Sequence, residues 1–218
     1  MMHKRPCVIL VADSNMAAAF RGFFQREGWH LSLGCAPFEI NTQVGADLIV
    51  DEGGNDPGVY TKGHELLRPY QSSHQHAIVV LDCEWDGSPG KAAIEAHITE
   101  QLVASGWADG AVKVIAIDPE LENWLWQDKP QVAQALRYKG QPPLRQLLAD
   151  RGLWPLDAAK PPRPKEAAQW VLRQTRQPRS SAIYQQLAVQ VSTKGCTDAA
   201  FGELNATLQA WYPQEGTA

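Results

Sequence analysis

Residues 77–86 read Ala77-Ile78-Val79-Val80-Leu81-Asp82-Cys83-Glu84-Trp85-Asp86. Five apolar residues stop at an acid, and further acids follow at every second position. A short continuous apolar run of this kind predicts a strand buried on both faces, the kind found in parallel sheets covered by helices. Two other apolar runs end alike, at Val11-Ala12-Asp13 and Ala116-Ile117-Asp118. Parallel strands point one way, so their carboxyl ends share an edge, and ligands of open sheets bind at that edge. Asp13, Asp82, Glu84, Asp86 and Asp118 are therefore expected near one another, with Glu120 and Glu122 just beyond.

The flanking segments fit that sheet. Cys7 to Ala12 predicts a first buried strand. Asp13-Ser14-Asn15 then offers helix-capping chemistry before Met16, Phe20, Phe23 and Phe24 recur at helical spacing, and Gly28 ends the helix. Residues 29–36 read as a strand and 46–50 as another, with a polar, glycine-rich loop over 51–58. A helix is expected over 61–68, stopping before Pro69. Within 90–106, Ile94, Ile98 and Leu102 make one apolar stripe, which predicts an amphipathic helix. Val112 to Ile117 predicts the next strand. Asp118-Pro119-Glu120 reads as a helix start, with an acidic cap and proline in the first turn, and Leu121, Trp124, Leu125 and Val132 carry that helix onward.

Strands alternating with helices predict an α/β fold with a mostly parallel sheet flanked by helices. The pattern changes after residue 139. Prolines at 142, 143, 155, 161, 162 and 164 punctuate helical pieces at 144–150, 165–175, 181–192 and 198–211. The expectation is an α/β domain over 1–139 and a helical C-terminal extension over 140–218 packed on it. The alternative is a separate helical subdomain.

Charge is unevenly distributed. Residues 1–136 carry net −9, and residues 137–182 carry net +7. Such asymmetry means either that the two parts face each other or that an anion-binding surface lies beside an acidic site. Cys7, Cys35, Cys83 and Cys196 form no C-x-x-C pair and read as reduced thiols of a cytoplasmic protein. The basic start, Met1 to Arg5, leads into an apolar stretch that breaks at Asp13, too short for a signal peptide. No apolar run approaches the roughly 18 residues of a membrane span, so no membrane partner is expected.

Carboxylates packed at one edge repel one another and raise one another's pKa values. A hard cation relieves that repulsion, and Mg²⁺ takes carboxylate and water oxygens. Capping is the competing role for Asp13 and Asp118, and acids also follow strands simply because loops are polar. The basic segment 160–179, with Lys165, Arg173 and Arg176, offers phosphate contacts for DNA or RNA; pairing with the acidic half is the other reading. Trp85 sits between two acids, placed for stacking on a base. His74-x-His76 has the spacing to bind Zn²⁺ but lacks a third ligand, and reads as exposed loop.

The order strand–acid–helix, then strand–Asp82-x-Glu84 and helix, resembles the Toprim fold of topoisomerases, primases and recombination nucleases. Ile117-Asp118-Pro119-Glu120-Leu121-Glu122-Asn123-Trp124-Leu125 resembles the E-x-E-x-W-L element of a Toprim-like prokaryotic family catalogued as domain of unknown function 4276. Lys165, Ser180-Ser181, Tyr184 and the stretch Cys196 to Phe201 resemble later elements of that family. Its genes often lie near phage-defence or mobile-element genes. The resemblance implies Mg²⁺ (or Mn²⁺) held by Asp13, Asp82 and Glu84, with Asp86 assisting, in a nucleic-acid phosphodiester hydrolase or phosphoryl-transfer protein. It departs from the family at Asp13-Ser14, where a Glu-Gly pair is usual, and at Glu84, where Asp is usual. A shorter first acid brings the alternative into view: a non-catalytic accessory subunit, partnered by other defence proteins, on the same scaffold.

Overall fold

The computed structural model describes residues 4–192 and 196–214; Met1 to His3 of the basic start lie outside them. The elements run β1 (Arg5–Val11), α1 (Ser14–Phe24), α2 (Trp29–Leu33), β2 (Leu48–Val50), α3 (Asp56–Leu67) and a 3-10 turn (Arg68–Tyr70). Next come β3 (His74–Asp82), α4 (Lys91–Ser105), β4 (Val112–Ile117), α5 (Glu122–Leu125) and α6 (Pro130–Ala135). Four helices close the chain: α7 (Leu144–Asp150), α8 (Pro164–Gln174), α9 (Ser181–Gln190) and α10 (Ala199–Trp211).

The four strands pair in the order β2-β1-β3-β4, all parallel. Successive side chains of a strand point to opposite faces, and both faces here are covered. Cys7, Ile9, Val11, Ile78, Val80, Ile115 and Ile117 enter one apolar cluster with α1 and the C-terminal helices. Val8, Leu10, Ala77, Val79, Leu81, Val114 and Ala116 enter the other, with α3 and α4. Double coverage is why these strands read as unbroken apolar runs. The chain leaves β1 toward one edge for β2 and returns to the other side for β3. That reversal makes the crevice at the carboxyl ends of β1 and β3 the topological switch point, where ligands bind in open sheets.

Capping sets two helix starts. Asp13 Oδ1 accepts the Met16 backbone N–H at 2.8 Å, and Asn55 Oδ1 accepts that of Gly58 at 2.7 Å. On the far side of α1, Gly22 permits close contact with α9: a Cβ there would stand 2.4 Å from the Gln185 carbonyl oxygen. Arg26, just past α1, donates from its guanidinium to the Ala188 and Val191 carbonyls at the end of α9.

Several local expectations are corrected. Residues 29–36 are not a strand: Gly28 and Gly34, with φ of 64° and 69°, bracket the one-turn helix α2. The loop over 51–58 ends early, because α3 already begins at Asp56. Asp118 does not cap a helix. The Pro119 carbonyl accepts the Cys83 and Glu84 N–H groups, each at 3.2 Å, which holds 118–121 as a turn against the end of β3, so α5 starts at Glu122. The helix expected through Val132 is two, because Trp126 is extended (φ −74°, ψ 101°). His74 and His76 belong to β3 rather than a loop; His74 is buried against Asp47 and His76 stacks on Trp211. Among the described residues no helix is long and apolar enough to cross a membrane.

Candidate metal centre

Each strand of the sheet is followed by an aspartate within two residues: Asp51 after β2, Asp13 after β1, Asp82 closing β3 and Asp118 after β4. Only part of this row converges. The carboxylates of Asp82, Glu120 and Glu122 each offer an oxygen within 4.8 Å of the others. The clamp of the 118–121 turn onto β3 brings them together. Leu121 N–H donates to Asp82 Oδ1 at 2.8 Å, so Glu120 and Glu122 flank the residue that touches Asp82. Asp56, in the first turn of α3, accepts the Asp82 backbone N–H at 2.7 Å and adds a fourth carboxylate beside the three.

Two cations from the C-terminal part of the chain, Lys165 in α8 and Arg179 between α8 and α9, complete the arrangement. The Lys165 backbone N–H donates to Glu120 Oε1 at 2.7 Å, and its Nζ stands 3.4 Å from Glu120 Oε2. Glu120 therefore caps the start of α8, where the helix macrodipole favours an anion. Arg179 reaches Glu122 Oε1 at 3.1 Å and the Tyr184 hydroxyl at 2.6 Å, and Tyr184 donates its own proton to Glu122 Oε1.

Electrostatics follow from this packing. Burial raises the Asp82 carboxyl well above the usual carboxylate range, and the Asp56 and Glu122 charges push it further. Burial also raises Glu120, with Glu122 adding to it and Lys165 opposing. Burial alone would lower the Lys165 ammonium, but the surrounding Glu122, Glu120 and Asp82 charges leave it raised. Glu120 and Glu122 each have a cation of their own; among the described residues Asp82 makes no ion pair, and the Lys165 charge only partly opposes its rise.

The donor set fits a hard divalent cation. All three groups are carboxylates, and all are buried or nearly so: Asp82 is 9% exposed, Glu120 7% and Glu122 3%. Among the described residues Asp82 Oδ2 and Glu122 Oε2 accept no protein hydrogen bond, which leaves them open as ligands. On one octahedral Mg²⁺ with bonds of ~2.1 Å, opposite ligands stand roughly 4.2 Å apart and adjacent ones roughly 3.0 Å. Three oxygens now within 4.8 Å of one another would draw closer by side-chain rotation to share one ion.

The other sequence candidates are not members of this cluster. Asp13 serves as the α1 cap, half-buried beside the cluster, and its charge raises the Asp56 carboxyl, whose main shift comes from burial. Glu84 and Asp86 are exposed and outside the cluster, because β3 stops at Asp82 and the chain turns, which ends the alternation that would have aligned them. Trp85 is half-buried, its ring 6.0 Å from that of Tyr60. Arg173 and Arg176 are exposed in and after the last turn of α8. Trp124 and Trp126 both turn inward, donating to Asp198 at 2.8 Å and to the Pro164 carbonyl at 2.7 Å.

Asp56, Arg179 and Tyr184 were not legible as site residues from spacing alone. Asp56 follows a glycine-rich loop, and Arg179 was one cation among several. No family model, curated protein or solved structure matches this chain, which leaves the carboxylate centre and its two cations as the ground for function.

Proposed function

We propose that the protein is a divalent-cation-dependent phosphodiester hydrolase acting on nucleic acid, with Mg²⁺ or Mn²⁺ held by Asp82, Glu120 and Glu122. The observation that carries this reading is the convergence of three buried carboxylates at the switch-point edge of a parallel sheet. The Toprim resemblance supports it, with Glu120-x-Glu122 rather than Asp13 and Glu84 completing the ligand set around Asp82. A bound cation supplies Lewis-acid polarisation of a phosphoryl oxygen.

The chain's own residues supply the rest. The Leu121 N–H holds Asp82 Oδ1, and among the described residues no protein donor reaches the second oxygen. Arg179 and Tyr184 hold Glu122 in one orientation. Lys165 stays charged, and with 39% of its side chain exposed it presents a cation to a phosphate approaching the same edge. Preorganised charge of this kind stabilises the extra negative charge of a phosphoryl-transfer transition state without reorganisation.

One observation favours a second reading, a non-catalytic accessory subunit of a defence system. Two ligands implied by the resemblance are elsewhere: Asp13 is a helix cap and Glu84 is exposed. A single experiment separates the readings. Mn²⁺ is titrated calorimetrically into wild type and Glu120→Gln, and each is then incubated with labelled single-stranded DNA and RNA. Binding that weakens at least tenfold in the variant, with cleavage lost in parallel, is the expected result. Metal binding without cleavage of either strand selects the accessory reading. No binding at all sinks the hydrolase reading and leaves the accessory one.

A further inference from the structure

The metal reading leaves the C-terminal end of α8 without a role. A cleft of about 190 Å³ lies there, lined by Gln169, Leu172, Arg173, Gln177 and Arg179. Its polar lining residues are two arginines and two glutamines, with no carboxylate; the Arg179 guanidinium already bonds Tyr184 and Glu122, which leaves Arg173 as the cation the cleft offers. Arg173 is exposed and forms no ion pair among the described residues, and the Gln169 side chain likewise has no partner there. The cleft is tied to the carboxylate centre through Arg179, which lines the one and pairs with Glu122 of the other at 3.1 Å.

The local fold keeps those groups in place. After α8, Arg176 takes a left-handed conformation (φ 54°), and the Gln177 N–H returns to the Leu172 carbonyl at 2.8 Å. That turn sets Gln177 and Arg179 opposite Gln169 and Arg173. Arg176 is not part of the lining, whereas Arg173 is.

Resting on the metal reading above, we propose that this cleft is an anion subsite for the phosphate neighbouring the one at the metal, so that the substrate is an oligonucleotide with at least two phosphodiesters. The planar fork of Arg173 matches phosphate oxygens, and the Gln169 carboxamide adds a neutral donor, whereas Gln177 Nε2 already donates to the Thr175 carbonyl at 3.4 Å. An isolated carboxylate cluster would repel an approaching phosphodiester chain. A cation in the cluster removes that repulsion, so metal and oligonucleotide raise each other's affinity by the same factor.

The test uses the full chain loaded with Ca²⁺, which takes carboxylate oxygens as Mg²⁺ does and is used so that the ligand stays intact. Calorimetry compares the dinucleotide TpT, with one phosphate, and the trinucleotide TpTpT, with two. Wild type is expected to bind TpTpT at least fivefold more tightly than TpT. Arg173→Gln is expected to bring that ratio within twofold while leaving Ca²⁺ affinity intact, because Arg173 touches none of the three carboxylates. Arg176→Gln, outside the cleft, is expected to keep the ratio. A ratio unchanged in Arg173→Gln, or no preference in metal-loaded wild type, overturns the cleft alone. Failure of Ca²⁺, Mg²⁺ and Mn²⁺ to bind overturns the metal reading, and the subsite with it.

Discussion

Replacing Asp82 with asparagine is expected to stabilise the metal-free protein while removing its response to metal. Asp82 is 9% exposed and shares a space of 4.8 Å with the carboxylates of Glu120 and Glu122. With an effective dielectric of about 20, two like charges at 4.8 Å repel by about 3.5 kcal/mol. Glu120 and Glu122 are offset by Lys165 and Arg179 at 3.4 and 3.1 Å, whereas among the described residues Asp82 makes no ion pair and the Lys165 charge only partly opposes its rise. The asparagine side chain keeps an oxygen to accept the Leu121 N–H, so the substitution removes charge with little loss of hydrogen bonding. Allowing for partial protonation of the raised carboxyl, the gain is about 1–3 kcal/mol. For a chain of this length that is roughly 2–4 °C in Tm per kcal/mol.

The pH dependence fixes the sign independently. A carboxyl whose folded pKa lies above its unfolded value binds a proton more tightly when folded. Wild type therefore loses stability as pH rises from the unfolded carboxyl range through the raised folded value of Asp82. Asp82→Asn lacks that loss, and its advantage widens over the same interval and then levels off. Calorimetric scans in EDTA between pH 4 and about 9, repeated with millimolar Mg²⁺ or Mn²⁺, read both effects. Metal should raise the wild-type Tm by mass action and leave the variant unmoved. A variant less stable than wild type in EDTA at neutral pH, or a gap independent of pH, refutes the account of Asp82 as the uncompensated charge.

Two further outcomes concern the scaffold. Gly22→Ala should destabilise despite the ~1 kcal/mol helix-propensity gain of alanine, because its Cβ would lie 2.4 Å from the Gln185 carbonyl oxygen; a net loss of about 1–2 kcal/mol in urea unfolding is expected, and a gain would show that α9 shifts freely. Asp47, 1% exposed, receives Arg5 through two bonds of 2.5 and 2.6 Å and lies 3.0 Å from His74 Nε2; because the Arg5 side chain is 37% exposed and water screens it, Asp47→Asn should cost roughly 1–3 kcal/mol by the same assay, while no measurable cost would mean the network carries little.

The sheet was legible because its strands are buried on both faces, so Cys7 to Ala12, Ala77 to Leu81 and Val112 to Ile117 stand out as apolar runs. The α4 stripe of Ile94, Ile98 and Leu102 was equally plain and all three are fully buried. The site was only half legible. Alternation placed Glu84 with Asp82, but alternation holds only while a strand continues, and β3 ends at Asp82. The partners that meet Asp82 come from backbone pairing of Cys83 and Glu84 with Pro119, which leaves no periodic trace in sequence. Lys165 reaches Glu120 from another element altogether, and no local rule joins positions so far apart. Helix α2 escaped notice because two left-handed glycines, rather than its five residues, define it.

Glu120 is held by the first turn of α8, and Glu122 by Arg179 and Tyr184. The turn that carries both acids belongs to the sheet, but what steadies them arrives more than forty residues later in the chain. The same C-terminal helices also cover one face of the sheet, where Val171, Leu187 and Leu208 join Ile9, Ile78 and Ile115 in one apolar cluster. One act of packing therefore does two jobs: it dries a face of the sheet and it sets the posture of the acids at its edge. A substitution that loosens α8 or α9 is felt at the carboxylates without touching them.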